Sequence, residues 1–190
     1  PNNILIFAEN HDTHRINHIY QNDLRKYKMA MALIATARGI PQTYYGSEIG
    51  MAGNKDKGDA DIRQDFPGGW NGDKNNAFTA SGRTDVQKQY FDFTAKLLNW
   101  RKNKSVIHSG KTTHYIPENN VYVYFRYDEK ETVMVIINNN PEKQTIKTKF
   151  SIYRDISTVI NLNSIVGYIY CKFVPIISST EACCIYVYIW

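Results

Sequence analysis

Cysteine is scarce in this chain of 190 residues: there are three, at positions 171, 183 and 184. An odd number with one adjacent pair is not a disulfide framework, and the spacing is not that of a zinc site. Long apolar runs are absent too. None reaches the roughly 18 residues that a membrane-crossing helix needs, so no membrane insertion is expected. No secretory signal opens the chain. That absence says nothing about export, because Pro1 is followed within three residues by a strand pattern, as in a chain that begins inside a longer protein. A continuous basic stripe is also missing. The formal charge is +5, but the cations gather only in RKYK (25–28) and RKNK (101–104), each on a predicted helix or its end. Without interleaved aromatic residues, such clusters read as solvated helix faces, and nucleic-acid binding is not expected.

What remains is a chain long enough to bury a core in one or two domains. NILIFA (3–8) is a continuous apolar run, as expected of a strand buried on both faces. DLRKYKMAMALIATAR (23–38) follows, with Leu24, Tyr27, Met31 and Ile34 at helical spacing and Asp23 as N-cap. Gly39 and Pro41 should end that helix. IPQTYYGSEIGM (40–51) reads as a second short strand, so strand, helix and strand form the unit of a parallel sheet. A loop of unusual length runs from about 50 to 84, and long loops in compact domains are functional or disordered. A helix is predicted over 85–103, with Val86, Tyr90, Phe93, Leu97 and Trp100 on one face.

After residue 106 the texture changes. Apolar and polar residues alternate through 119–150, broken by DEKE and NNNPEK, which is the pattern of antiparallel strands. From about 152 only Arg154, Asp155, Lys172 and Glu181 carry charge, and all three cysteines fall there. Two readings stand for that tail: the last strands of a β domain, or a segment outside the native reading frame.

Three segments carry polar groups where a ligand would sit. Asn10-His11-Asp12 ends the first apolar strand. Gly46-Ser47-Glu48 follows the second in the equivalent place. GDADIRQDFPGGW (58–70) brings carboxylates, a guanidinium and an indole into the long loop. Carboxylates and arginine grip hydroxyls in fork geometry, and an indole stacks on the apolar face of a sugar ring.

These segments resemble a known family. FAENHDTHR looks like the fourth conserved region of the α-amylase family of glycoside hydrolases. GIPQTYYGSEIGM resembles that family's last barrel strand, and DADIRQDFPGGW is similar to the loop after it in the neopullulanase and cyclomaltodextrinase branch. The resemblance covers roughly residues 3 to 150. It implies an α/β fold: the C-terminal part of a (β/α)8 TIM barrel over 1–106, followed by an all-β antiparallel sandwich domain over 107–190. It also implies retaining hydrolysis of α-glucosidic bonds, with an α-glucan oligosaccharide or polysaccharide as substrate and no cofactor.

Residue by residue, Asp12 matches the third catalytic carboxylate, which stabilises the transition state. His11 matches the histidine that binds hydroxyls of the cleaved sugar, beside Asn10. Arg15 stands where the family often has arginine and is a further substrate-binding candidate, a surface ion pair being the other reading, and Asp59 with Arg63 resembles the pair that grips the next sugar. DADIR replaces the DPDCR pattern of that branch. The family's nucleophile and acid/base lie on earlier strands, and neither Glu9 nor Glu48 matches them. The chain alone is therefore expected to be inactive. Its exposed sheet edges predict aggregation.

Other readings compete. Asp12 could simply cap a helix. His11, Asp12, His14 and His18 could hold zinc, since His14 and His18 are spaced i, i+4, but the glutamate of the metalloprotease motif is missing and no metal is expected. Glu48 could accept backbone N–H bonds or lie near substrate. Trp70 could be a sugar platform or a loop anchor. A non-catalytic glucan-binding relative would share every motif seen here, and a purely structural β domain would not explain motifs that lie outside it.

Overall fold

The computed structural model describes residues 3–140, 145–149, 157–161 and 184–189. The first part is a strand–helix–strand unit. Strand β1 (Leu5–Ile6) pairs in parallel with β2 (Ile40–Pro41), with Leu5 opposite Ile40. Between them run the short helix α1 (Ile16–Ile19) and the longer α2 (Leu24–Thr36). Asp23 caps α2 as expected, its Oδ1 accepting the Arg25 N–H at 2.9 Å. The chain then turns at Gly39, whose φ of 133° suits glycine. A Cβ there would lie 2.8 Å from the Ile4 carbonyl oxygen.

Both strands are shorter than the sequence suggests. The first pairs over two residues rather than 3–8, and it is not buried on both faces: Ile4 and Leu5 are 58% and 57% exposed, because no described element covers their outer side. The second stops at Pro41. Gly46 and Gly50 adopt left-handed φ of 81° and 76° and wind residues Ser47–Ile49 into a 3-10 turn instead of a strand.

The long loop contains a second 3-10 turn (Lys55–Lys57) and helix α3 (Asp59–Ile62). Helix α4 (Asp85–Lys102) starts at a capping box: the Thr84 hydroxyl accepts the Gln87 N–H, and the Gln87 amide oxygen accepts the Thr84 N–H. Its buried face is Tyr90, Phe93, Thr94 and Leu97, with Trp100 half-buried. Val86 belongs to the exposed side, since the first turn of α4 overhangs the core. On α2 the buried stripe is Tyr27, Met29, Met31, Ala32, Ala35 and Thr36, and the expected Leu24 and Ile34 sit at its edges.

Tyr27 is the pivot where these helices meet. Its ring lies 4.6 Å from that of Tyr90 and its hydroxyl is 2.8 Å from the Thr94 hydroxyl. Burial drives its phenol far above the ordinary tyrosine range, with the Thr94 bond opposing.

After helix α5 (Ser105–Ser109) come strands β3 (Lys111–His114), β4 (Val121–Tyr127) and β5 (Thr132–Asn138), then β6 (Thr145–Lys149), β7 (Ser157–Asn161) and β8 (Cys184–Ile189). The antiparallel sheet has the order β3-β4-β5-β8, and β6 with β7 forms a separate ribbon. Asn119 and Asn120 turn β3 into β4, both at positive φ, which suits the twist of a tight hairpin. Most of the atypical tail lies outside the described residues; within it, the backbone of β8 pairs with β5 from Val133↔Ile189 to Asn138↔Cys184.

One core runs through helices and sheet, joining Tyr27, Phe93 and Leu97 to Val106, Ile107, Tyr124, Val133 and Val135. Polar contacts lock the same junction. Arg126, fully buried, donates to the Thr36 carbonyl at 3.0 Å and the Gly110 carbonyl at 3.1 Å. The Tyr124 and Thr36 hydroxyls are 2.5 Å apart. Among the described residues, no helix is long and apolar enough to cross a membrane.

Candidate functional site

Because β1 and β2 are parallel, the segments leaving their C-terminal ends emerge on the same edge of the sheet. That edge carries the polar residues singled out in the sequence. Asn10 shapes the turn: its Oδ1 accepts the Asp12 N–H at 2.9 Å, and its own N–H donates to the Thr13 hydroxyl at 3.0 Å. Asn10 is thus a turn-former whose oxygen is already engaged. The turn leaves His11 and Asp12 facing solvent, 62% and 59% exposed, with His11 Nε2 3.1 Å from Asp12 Oδ2.

Arg63 reaches this turn from the end of α3. Its Nε donates to the His11 carbonyl at 2.9 Å, and Nη2 lies 3.0 Å from Asp12 Oδ1 and 2.8 Å from Asp59 Oδ2. Asp59 also pairs with Lys55. The Lys55 hydrogen bond, with Arg63 nearby, holds the Asp59 carboxyl below the usual range. The result is an exposed chain of alternating charge, Lys55–Asp59–Arg63–Asp12, with His11 at its end. Exposed ion pairs contribute little to folding. Five such groups converging at strand ends are suited to hydrogen-bonding an uncharged, hydroxyl-rich ligand.

Arg15 departs from its expected role. It is 1% exposed and forms the floor beneath the turn. Nε donates to the Ile62 carbonyl at 3.0 Å, Nη1 to the Tyr45 carbonyl at 2.6 Å, and the guanidinium lies 3.9 Å from the Tyr44 ring centroid. Its Nη2 finds no hydrogen-bond partner among the described residues. A guanidinium can be buried here because two backbone carbonyls and a carboxylate converge on it.

That carboxylate is Glu9, 3% exposed and 3.6 Å from Arg15 Nη1. It also accepts the Ile16 N–H at 2.5 Å and the Ser47 hydroxyl. Glu9 and Ser47 are the positioning residues that sequence reasoning missed. The only signal for Glu9 was a charged residue directly following an apolar strand.

Gly53 completes the floor. Its carbonyl accepts the Arg15 N–H at 3.0 Å. A Cβ there would lie 2.4 Å from the Asp61 carbonyl oxygen and 2.9 Å from Ile62 Cα. The close approach fixes the loop that carries Asp59 and Arg63.

The zinc alternative finds no support in this geometry. His14 Nδ1 accepts the Lys55 N–H at 3.0 Å and its ring is 5.5 Å from that of His18. No three His, Cys, Asp or Glu side chains gather as a metal set among the described residues. Glu48 sits half-buried on its 3-10 turn, and Trp70 projects from the long loop, 66% exposed.

The chain is similar to several known proteins. A family model, the cyclo-malto-dextrinase C-terminal domain, matches residues 112–157. The cyclomaltodextrin glucanotransferase of Geobacillus stearothermophilus is 33% identical over 134 residues, which are 70% of this chain and 16% of that enzyme. The cyclomaltodextrinase of Geobacillus thermopakistaniensis is 30% identical over 138 residues, 72% of this chain and 21% of that protein. The chain thus spans about a sixth to a fifth of the length of these relatives. Among solved structures, an α-amylase from Geobacillus thermoleovorans complexed with acarbose superposes with a TM-score of 0.60 at 28% identity, covering 77% of this chain and 29% of that one. With the Asn-His-Asp turn at the end of a parallel strand and the Asp59–Arg63 pair beside it, these likenesses mean that the chain belongs to the α-amylase family of glycosidases.

Proposed function

We propose that this chain forms one wall of a site that cleaves α-glucosidic bonds with retention, in starch-like glucans or maltodextrins. In this reading residues 1–106 are the C-terminal part of a (β/α)8 barrel and 107–190 an antiparallel β-sandwich domain. The parallel β1–α2–β2 unit and the family match at 112–157 support that division. The observation that carries the reading is the exposed Asp12, held at a parallel strand end by Arg63 and flanked by His11. The relatives are named for cyclomaltodextrins, and a structural neighbour holds acarbose, which supports an α-glucan as ligand.

The chemistry follows. Retaining glycosidases pass through an oxocarbenium-like state, using a nucleophile and an acid/base about 5–5.5 Å apart. Asp12 is neither. Its fixed negative charge stabilises the positive charge that develops on the sugar ring, as preorganised dipoles do. His11 hydrogen-bonds hydroxyls of that ring, and Asp59 with Arg63 takes the neighbouring sugar. Glu9, Arg15 and Ser47 hold the Asp12 turn against the 44–53 and 61–63 segments. In this reading neither Glu9 nor Glu48 takes the part of the nucleophile or acid/base, so the polypeptide by itself binds glucan without cutting it.

The test is calorimetric titration of the chain with maltoheptaose, alongside a reducing-sugar assay on starch and pullulan. Binding that weakens in Asp12→Asn, with no sugar released, is the expected result. Turnover above background would overturn the non-catalytic assignment, and an unaltered affinity in Asp12→Asn would overturn the site.

A further inference from the structure

The segment that carries Lys55 and Asp59 is joined to the end of the Asp12 turn. The Arg15 N–H reaches the Gly53 carbonyl at 3.0 Å. Beside it, His14 Nδ1 accepts the Lys55 N–H at 3.0 Å. Beyond that point the second 3-10 turn holds itself together. The Asn54 side chain accepts the Asp56 N–H at 2.9 Å, and Asp61 Oδ2 accepts the Asn54 N–H at 2.6 Å. Lys55 Nζ then pairs with Asp59, Asp59 with Arg63, and Arg63 with Asp12. The His14 bond therefore sits at the root of the exposed charge chain.

The direction of that bond admits no choice. A backbone N–H can only donate, so His14 Nδ1 is the bare, accepting nitrogen. The ring is then neutral and carries its proton on Nε2. An imidazolium has a proton on both nitrogens and accepts nothing. Protonation of His14 and the Lys55 bond exclude each other. The charged groups around the ring do not replace the bond. Asp56 Oδ1 lies 4.0 Å from Nε2 and is 81% exposed, so it offers only an ion pair of little worth. The His18 ring of α1, 5.5 Å away, adds like charge in acid. Lys57 is exposed on the same turn. Asp12 is turned to Arg63 and His11, and the Arg15 side chain to the Ile62 and Tyr45 carbonyls.

We propose that His14 is a positioning residue that latches the 54–63 segment to the Asp12 turn only while its imidazole is neutral, so that acid loosens the Asp59–Arg63 pair and weakens sugar binding. The consequence for sugar rests on the α-glucan reading; the latch does not. Protonation leaves the half-buried Lys55 N–H facing a second N–H, without an acceptor. The turn then has to move out to water, and Lys55 Nζ moves with it away from Asp59. Histidine changes charge between about pH 5 and 8, so the latch is closed at the upper end of that range and open at the lower. His11 titrates there too. Its Nε2 faces Asp12 Oδ2 at 3.1 Å, so its protonation tightens that contact instead of breaking it.

Imidazole nitrogen and amide NMR of the sugar-free chain, from about pH 8 down to about pH 5, tests the latch. A bare Nδ1 on His14 at the upper end is expected, with a Lys55 amide shift that follows the ring as it titrates. A protonated Nδ1 at the upper end, or a Lys55 amide that stays put while the ring titrates, would overturn the latch. Calorimetric titration with maltoheptaose tests the consequence in wild type, His14→Asn and His14→Phe, each checked for unchanged circular dichroism. An asparagine Oδ1 takes the place of Nδ1 and accepts at every pH, whereas phenylalanine accepts at none. Across the range, wild-type affinity is expected to fall about fivefold more than that of His14→Asn, and His14→Phe to start about fivefold weaker. Equal pH dependence in wild type and His14→Asn would overturn the control of sugar binding. No binding of maltoheptaose by wild type would overturn the α-glucan reading and that control with it, while the Lys55 amide still decides the latch.

Discussion

Replacing Arg15 with methionine tests the floor of the site. The substitution keeps a long side chain but removes the guanidinium, which is 1% exposed. Two buried carbonyls, of Ile62 and Tyr45, lose donors at 3.0 and 2.6 Å. Glu9 loses its nearest cation, at 3.6 Å, while remaining 3% exposed. Breaking a buried pair from one side costs about 3–5 kcal/mol. Glu9 keeps the Ile16 N–H and the Ser47 hydroxyl as donors, which puts the cost near the lower end, about 3 kcal/mol. Against the roughly 5–15 kcal/mol of a whole domain that is a large loss. Urea unfolding followed by circular dichroism at low protein concentration measures it. In Glu9→Gln/Arg15→Met no charge is left stranded, so the double variant should lose less than the two single losses summed. A cost under about 1 kcal/mol for Arg15→Met, or strict additivity in the double variant, would refute the buried-pair argument.

Other consequences are open to measurement. Thr84→Ala removes the capping box of α4 and should cost about 1 kcal/mol, read as a lowered urea midpoint. Gly53→Ala forces a Cβ to within 2.4 Å of the Asp61 carbonyl oxygen; it should cost about 1–3 kcal/mol and weaken maltoheptaose binding as the Asp59–Arg63 loop shifts. In Lys55→Ala the Asp59 carboxyl should titrate nearer the ordinary 3.8, seen by carboxyl NMR. Because its folded pKa is depressed, whatever the pair contributes is present above pH 3.8 and fades as pH falls through the lower folded value. Ile4→Lys/Leu5→Lys should shift the chain toward monomer in sedimentation, since it places charge on an exposed strand edge.

The parts legible in the sequence are those set by local rules. The alternation through 121–138 specifies β4 and β5, and Asp23 announces the start of α2, because both depend on neighbours a few residues away. The Asn-His-Asp turn and the Asp59–Arg63 pair were legible as chemistry, and the structure brings them within 3.0 Å. What escaped depends on distant partners. Arg15 looks like a surface cation until Ile62, 47 residues away, and Tyr45, 30 away, supply its acceptors. The segment 40–51 reads as strand by composition, yet two left-handed glycines coil it. Glu9 had no legible role because Ser47, its partner, lies 38 residues on.

The central claim is that the surface shared by His11, Asp12, Asp59 and Arg63 receives an α-glucan. Amide chemical-shift mapping of the chain titrated with acarbose tests it most directly. The account predicts saturable shifts centred on residues 10–14 and 55–63, lost in Asp12→Asn. Shifts confined to other surfaces, or a map unchanged by that substitution, would contradict it.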